Sequence, residues 1–313
     1  MFRLFSNSSI LGLDIGFEAL KLVELKKSGS RFSVVGAINW PLTDRMLEHD
    51  HFKNKKQAGE IIKQACAKAK PYPIQAKKIV SALPETFVFS KTIQMPKMKM
   101  GEYKDAVPIE AAQYLPIPAA EVYLDFQVLI SHPDDSLVDI LLVASPRHLI
   151  DEIVEVTRLA GLELLALETK PMAGGRALLD NKTKIGLMII EIGSEVSRIS
   201  IWEGNNIQLV STVSVGKNEI EKQLAKDNGK KDVLLPIVEE IFEAIKYHQN
   251  RGYKPKPIEK LLLCGSGAGF SGIEKFFTER TKIKSETAKP LITGKTLLGT
   301  GFVTAIGLAM RQE

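Results

Sequence analysis

Asp14, Ile15 and Gly16 are followed by four residues and then Lys21, and the same order returns as Glu191, Ile192, Gly193 and Arg198. A glycine in a hairpin turn presents backbone N–H groups to phosphate oxygens, and a nearby carboxylate can hold Mg²⁺ or its waters. One such turn would pass as an ordinary tight turn. Two at matching places in one chain point to an ancestral nucleotide cleft with the turns facing each other, and Asp14 is the candidate Mg²⁺ ligand.

Other motifs carry less. "GAGFSG" (267–272) satisfies G-x-G-x-x-G between a strand and a helix, with Glu286 about 20 residues on. Only about 40 residues remain beyond it, too few for a dinucleotide domain, so its glycines suit close backbone approach to an adenosine instead. "TGKT" (293–296) lacks the leading glycine of a phosphate loop, because position 289 is Lys. His49, Asp50 and His51 sit in "EHDHF" without a third ligand at metal spacing, and read as a solvated turn. No Ser/His/Asp or Cys/His set is nominated by spacing.

The elements that position these residues follow from periodicity. Residues 10–16, 20–25 and 32–38 read as three short strands joined by tight turns, and 57–69 as a helix. "KKIVSAL" is a buried strand. "EYKDAVPIEAAQYLPIP" is helix-like, interrupted at Pro108 and stopped by Pro116 and Pro118. "SPRHLIDEIVEVTRLAGL" is the clearest helix, with Ser145 as its cap, Pro146 at its first position and Gly161 closing it. Residues 186–215 repeat the strand–turn–strand–turn–strand pattern of residues 11–40, which implies a duplicated fold. The second half continues with helices at 217–226 and 233–249, the latter burying Leu234, Ile237, Val238, Ile241, Phe242 and Ile245. "EKLLLC", the glycine loop, a helix "IEKFFTER" and a closing helix "FVTAIGLAMRQE" complete the chain.

A length of 313 residues allows two packed cores, and a hydrophobic content of 44% is ordinary for globular domains. The net charge of +5 suits an acidic partner without demanding one, and the basic residues are not grouped as in a nucleic-acid reader. Cys66 and Cys264 lie far apart, as expected in a reducing compartment without structural zinc. The start is too polar for a signal peptide, and no apolar run approaches the roughly 18 residues of a membrane span. A cytoplasmic location is expected.

Several segments together resemble the PilM family of type IV pilus assembly proteins and, more distantly, the FtsA family of cell division. "GLDIG…KLVEL" is similar to the family's first phosphate hairpin and "IIEIG" to its second. "LLLCGSGAGFSGI" resembles its adenosine loop and "FVTAIGLAMR" its closing helix. "VSALPETFVFSKTIQMP" and "IEAAQYLPIPAAEVYLDFQVL" resemble the distinctive inserted subdomain, and "LLVASPRHLIDEIVEVTRLAGLELLALETKPMA" the segment that returns from it. The resemblance implies an actin-like α/β fold of duplicated ribonuclease-H-like halves. The first half would occupy 1–83 and 164–184, interrupted by an insertion at 84–163; the second half, with a reduced insertion, would occupy 185–300, and the closing helix 301–313. It further implies a nucleotide site at Asp14, Gly16, Lys21, Glu191, Gly193, Ser194, Gly216, Gly265, Ser266 and Gly267. As partner it implies the N-terminal tail of a PilN-like inner-membrane protein, docked beside the insertion, where Gln113, Tyr114 and Leu115 are the candidate contacts. Attachment to the membrane would come through that partner, because the chain stops after the closing helix without an amphipathic anchor. Self-association is a further expectation among partners.

The departures from the family fall on nucleotide positions. Phe17, Glu18 and Ala19 replace small hydroxylated residues in the first hairpin, and Glu191, Glu195 and Val196 depart from the second. Gly216-Lys217 stands in place of a Gly-Gly pair, and "DNGKKD" (227–232) replaces a segment with a ribose-contacting Glu-x-x-Lys. A glutamate about 4 Å from a phosphate charge costs about 4 kcal/mol at an effective dielectric near 20, roughly a thousandfold in affinity. The expectation is therefore a scaffold of a type IV pilus or related secretion platform in which ATP/Mg binding is weak or absent. The competing reading is a working ATPase or small-molecule kinase, marked by phosphate release that Asp14→Ala abolishes.

Overall fold

A computed structural model describes residues 9–84, 87–129, 136–180, 182–226, 232–250, 255–293 and 298–311. The first half opens with a meander of β1 (Ile10–Ile15), β2 (Ala19–Ser28) and β3 (Arg31–Pro41). A small hairpin of β4 (Leu47–Glu48) and β5 (His51–Phe52) leads to α1 (Lys55–Lys68), whose cap Asn54 accepts a hydrogen bond from the Gln57 amide. The short β6 (Lys70–Pro71) and β7 (Lys78–Ala82) follow. The insertion contributes β8 (Phe89–Pro96), α2 (Met100–Ala111), β9 (Val122–Val128) and β10 (Leu137–Pro146). Then come α3 (Arg147–Leu159), β11 (Glu163–Glu168) and α4 (Lys170–Leu178).

The second half repeats the plan with β12 (Gly186–Ile192), β13 (Ser197–Glu203) and β14 (Asn206–Val213). Helices α5 (Lys217–Lys226) and α6 (Leu235–Gln249) precede β15 (Ile258–Cys264). The chain closes with α7 (Ile273–Thr281), β16 (Lys284–Thr287) and α8 (Val303–Ala309). The two main sheets run β11-β7-β1-β2-β3-β6 and β14-β13-β12-β15-β16. Apart from β6, the second is the first with each strand replaced by its counterpart, including the antiparallel meander and the two parallel pairings. The internal repeat is thus a complete topological duplication.

Both central strands, β1 and β12, are apolar runs covered on two faces. Leu11, Leu13 and Ile15 pack with Ile62 of α1 and Leu149, Ile153 and Val156 of α3. Met188, Ile190 and Ile192 pack with Ile237 and Ile241 of α6 and Phe277 of α7. Between the sheets lie α4 and α8, where Ala177, Val303, Ala305 and Ile306 share a core with Val23 of the first sheet and with Ile189 and Trp202 of the second. The insertion is a separate small sheet, β8-β10-β9, with Tyr103, Val107 and Ala111 of α2 packed on one face. Within the 84–163 segment, α3 leaves this sheet and packs on α1.

Three local expectations are corrected. Helix α2 runs through Pro108 and ends at Ala111, before Pro116; Pro108 and Lys104 are both exposed, so the carbonyl that Pro108 cannot serve faces water. Ser145 is the penultimate residue of β10 rather than a helix cap; Pro146 is the N-cap of α3, while Gly161 closes that helix at φ 76° as expected. Phe242 of α6 is 46% exposed, because the helix buries the face of Ile237, Val238, Ile241 and Ala244 and Phe242 falls just outside it. The break expected at 227–232 lies, up to Lys231, outside the described residues, as does most of "TGKT".

Helix α8 reaches α4 through a glycine: a Cβ on Gly307 would lie 1.7 Å from the Ala173 carbonyl oxygen. Urea unfolding of Gly307→Ala is expected to show a loss of about 3 kcal/mol or more. Gly174→Ala, whose nearest neighbour would be Val303 Cγ1 at 3.9 Å, is expected to hold or gain stability.

Candidate functional site

The cleft is built by the two hairpins. In β1–β2, Asp14 faces Lys21 across the ladder; in β12–β13, Glu191 faces Arg198. Both turns close in the same way, with the Gly16 amide donating to the Ala19 carbonyl at 3.0 Å and the Gly193 amide to the Val196 carbonyl at 3.0 Å. At each glycine an added Cβ would sit 2.8 Å from that same carbonyl oxygen, which is why the turn excludes a side chain.

At the cleft floor Asp14 is buried, 3% exposed. Lys170 Nζ lies 2.7 Å from its Oδ1 and Lys21 Nζ 4.0 Å from its Oδ2. Burial pushes the carboxyl's pKa up, but the charges of Lys170, Lys21 and Arg198 outweigh it and hold the group below its ordinary 3.8. Lys170 is the first residue of α4, where a cation opposes the helix dipole; Asp14 offsets that cost. Glu191 accepts from Arg198 at 3.3 Å and from the Thr304 hydroxyl, next to the start of α8, at 3.2 Å.

The glycine loop, packed against the end of β12, forms another wall. Gly265, at φ 89°, could not carry a Cβ, which would lie 2.3 Å from the Ile192 carbonyl oxygen. Ser266 and Gly301 line the cleft beside Lys21, whereas Gly267 packs against Ile192. Gly216 lies against the second turn, and the first amides of α5 bond to it: Lys217 to the Gly193 carbonyl at 2.7 Å and Asn218 to that of Ser194 at 3.0 Å.

The rim residues join the halves. Glu195, on the second turn, is ion-paired with Arg45, which lies between β3 and β4 of the first half. Glu18, on the first turn, accepts a hydrogen bond from the Asn218 side chain of α5 at 2.5 Å. The Arg45 guanidinium also stacks 5.2 Å from the centre of the Phe17 ring. The cleft measures about 160 Å³.

The structure therefore gathers Asp14, Gly16, Lys21, Glu191, Gly193, Ser194, Gly265 and Ser266 around one cavity, with Gly216 and Gly267 just behind its wall. Sequence reasoning missed Lys170, Arg45, Asn218 and Thr304. Only Lys170 left a local trace, a cation at the first position of a helix beginning "KPM". Gln113 is exposed; Tyr114 bonds Glu110 at 3.1 Å and lies under Lys91, 4.0 Å from the ring centre. Both follow α2, on one side of the inserted sheet. On the other side is a groove of about 380 Å³ lined by Tyr123, Leu141, Val143, Ser145, Leu167 and Met172 among others.

Two duplicated α/β halves, each opening with a glycine-turned hairpin on a shared cleft, define an actin-like protein. The family model for type IV pilus assembly protein PilM matches residues 12–231, and the chain belongs to that family. A chain of a PilM-PilN type IV pilus biogenesis complex is 23% identical, covering 96% of this chain and 97% of that one at a TM-score of 0.81. The ethanolamine utilization protein EutJ from Carboxydothermus hydrogenoformans is 15% identical, covering 96% and 88% at 0.56. The cytoplasmic domain of EpsL, an inner membrane component of the Vibrio cholerae type II secretion system, is 10% identical, covering 98% and 96% at 0.51. At such identities the shared property is the fold.

Because the folded pKa of Asp14 lies below the unfolded one, its stabilising effect is complete above the unfolded value and lost as pH falls through the folded value. Asp14→Asn, which leaves Lys170 without its carboxylate, is expected to cost about 3–5 kcal/mol at neutral pH. Urea titrations at descending pH should show the gap from wild type closing below about pH 4.

Proposed function

We propose that this protein is a scaffold of a type IV pilus assembly platform whose cleft is bridged by its own side chains, with nucleotide binding weak or lost. The observation that carries this reading is the reciprocal rim contact: Glu195 with Arg45, and Glu18 with Asn218. Both glutamates stand on the turns that would surround a phosphate, and each is engaged by the opposite half. The fit to Mg-ATP is poor on two further counts. A cleft of about 160 Å³ falls short of the roughly 300–1,000 Å³ of small-molecule pockets. Asp14, the candidate Mg²⁺ ligand, is already neutralised by Lys170.

Among the described residues no helix is long and apolar enough to cross a membrane. The related complex pairs PilM with PilN, and a PilN-like N-terminal tail is the proposed partner here. The groove between the inserted sheet and the β11–α4 segment suits an extended peptide. Strand β9 is an edge strand, open to backbone pairing, and Tyr123, Leu141, Val143 and Met172 offer apolar anchors. The end of α2, with Gln113, Tyr114 and Leu115, is the other face a tail could use.

Calorimetry with Mg-ATP is expected to give a Kd weaker than about 100 µM, and Glu18→Ser with Glu195→Ser to tighten it at least about tenfold. Low-micromolar binding by the wild type would overturn the reading. In fluorescence anisotropy, a labelled PilN-type N-terminal peptide should lose about tenfold in affinity on Tyr123→Ala with Val143→Ser. The same loss on Gln113→Ala with Tyr114→Ala instead would move the site to α2.

A further inference from the structure

The β4–β5 turn carries two imidazoles and a carboxylate, and α3 brings more. His148 and Glu152 are one helical turn apart on α3, and both meet the "HDH" turn. The ligand atoms of Asp50, His51 and His148 all lie within 4.8 Å of one another. The imidazole rings of His51 and His148 are stacked, 4.3 Å between centres and 20° between planes. His49, at φ 53°, holds the left-handed conformation that turns the chain back here, a conformation seldom adopted by residues other than glycine.

The arrangement around His51 decides which nitrogen is available. Its Nδ1 lies 3.1 Å from Glu152 Oε1, while Glu152 Oε2 accepts the Phe52 amide at 2.8 Å. A carboxylate anchored in this way holds the ring proton on Nδ1 and leaves Nε2 with its lone pair, the arrangement that orients metal-binding histidines. His51 Nε2 lies 3.8 Å from Asp50 Oδ1. His148 Nε2 is withdrawn from solvent and makes no hydrogen bond, although Asp50 Oδ2 is 2.8 Å away. For bonds of about 2.0–2.1 Å, ligand atoms of a tetrahedral zinc site stand roughly 3.4 Å apart. One ligand atom from each of the three residues already lies within 4.8 Å of the others, and rotation of the two rings out of their stack would turn them onto one ion.

We infer that His51 Nε2, His148 Nε2 and the Asp50 carboxylate form a three-ligand site for zinc or a similar divalent transition ion, with Glu152 positioning His51. Two imidazoles and one carboxylate select a borderline-soft cation over Mg²⁺ or Ca²⁺, and the fourth place is left to water or to a side chain of a partner. The ion would tie the turn to α3 and so restrain the segment that also carries Arg45. The site is separate from the nucleotide cleft, and its test does not depend on the pilus assignment.

The test uses the full chain, stripped with a chelator and dialysed. Zinc titrated against a chromophoric competitor is expected to bind at one equivalent with a submicromolar Kd, and Co²⁺ to give the visible bands of a tetrahedral site. His51→Gln or His148→Gln should weaken zinc at least about 100-fold, and Glu152→Gln by about 10–100-fold. The side chains of His51 and His148 are 58% and 41% exposed, so the variants are expected to fold, which circular dichroism verifies. Binding weaker than about 100 µM, or unchanged affinity in His148→Gln, would overturn the assignment.

Discussion

A carboxylate buried from water must be neutralised where it lies, and Asp14 sets that constraint for the whole molecule. Its cations come from three places in the chain: Lys21 on the adjacent strand, Lys170 at the start of α4, and Arg198 across the cleft in the other half. Removing one partner of such a group leaves a desolvated charge, which costs far more than the intact pair contributes. Asp14 thus ties the first hairpin to the helix that returns from the insertion, and it feels the charge of Arg198 on the second hairpin.

Around that point the packing is redundant. Helices α4 and α8 lie between the two sheets, and the core they share reaches Val23 on one side and Ile189 and Trp202 on the other. Apolar burial and Asp14 both join the halves. The rim pairs act on top of this. An exposed ion pair contributes only about 0.2–1 kcal/mol, so Arg45 and Glu195 bias the cleft toward closure without locking it. On the reading proposed above, their chemical effect is larger than their energetic one, since both turn glutamates would place negative charge where a phosphate needs donors. The segment bearing Arg45 continues directly into the His51–His148 cluster, which places the proposed metal at the far end of the same connection.

Much of the fold is legible because it is written in local order. The repeat of acid, glycine and cation at equal spacing pairs Asp14 with Lys21 and Glu191 with Arg198, and the ladders have that register. Gly161 announces the end of α3 because a left-handed closing residue favours glycine. Pro108 misleads because part of the cost of a helical proline is the carbonyl it leaves unserved, and at this exposed turn water can serve it. Phe242 misleads because hydrophobic type does not ensure burial, and the buried stripe of α6 is narrower than its run of apolar residues.

By itself the sequence determined the duplicated halves, the two glycine turns and the acids within them, since each depends on residues a few positions apart. Tertiary structure alone decided which residues of the opposite half meet the turn glutamates. Arg45 and Glu195 are 150 residues apart and Asn218 and Glu18 200, and no periodicity links such positions. In the same way Asp50 and His51 were a turn without a third ligand until α3 delivered His148 and Glu152. Side chains brought together by two separately folded elements leave no spacing signal, because the distance that matters is set by packing and not by the chain between them.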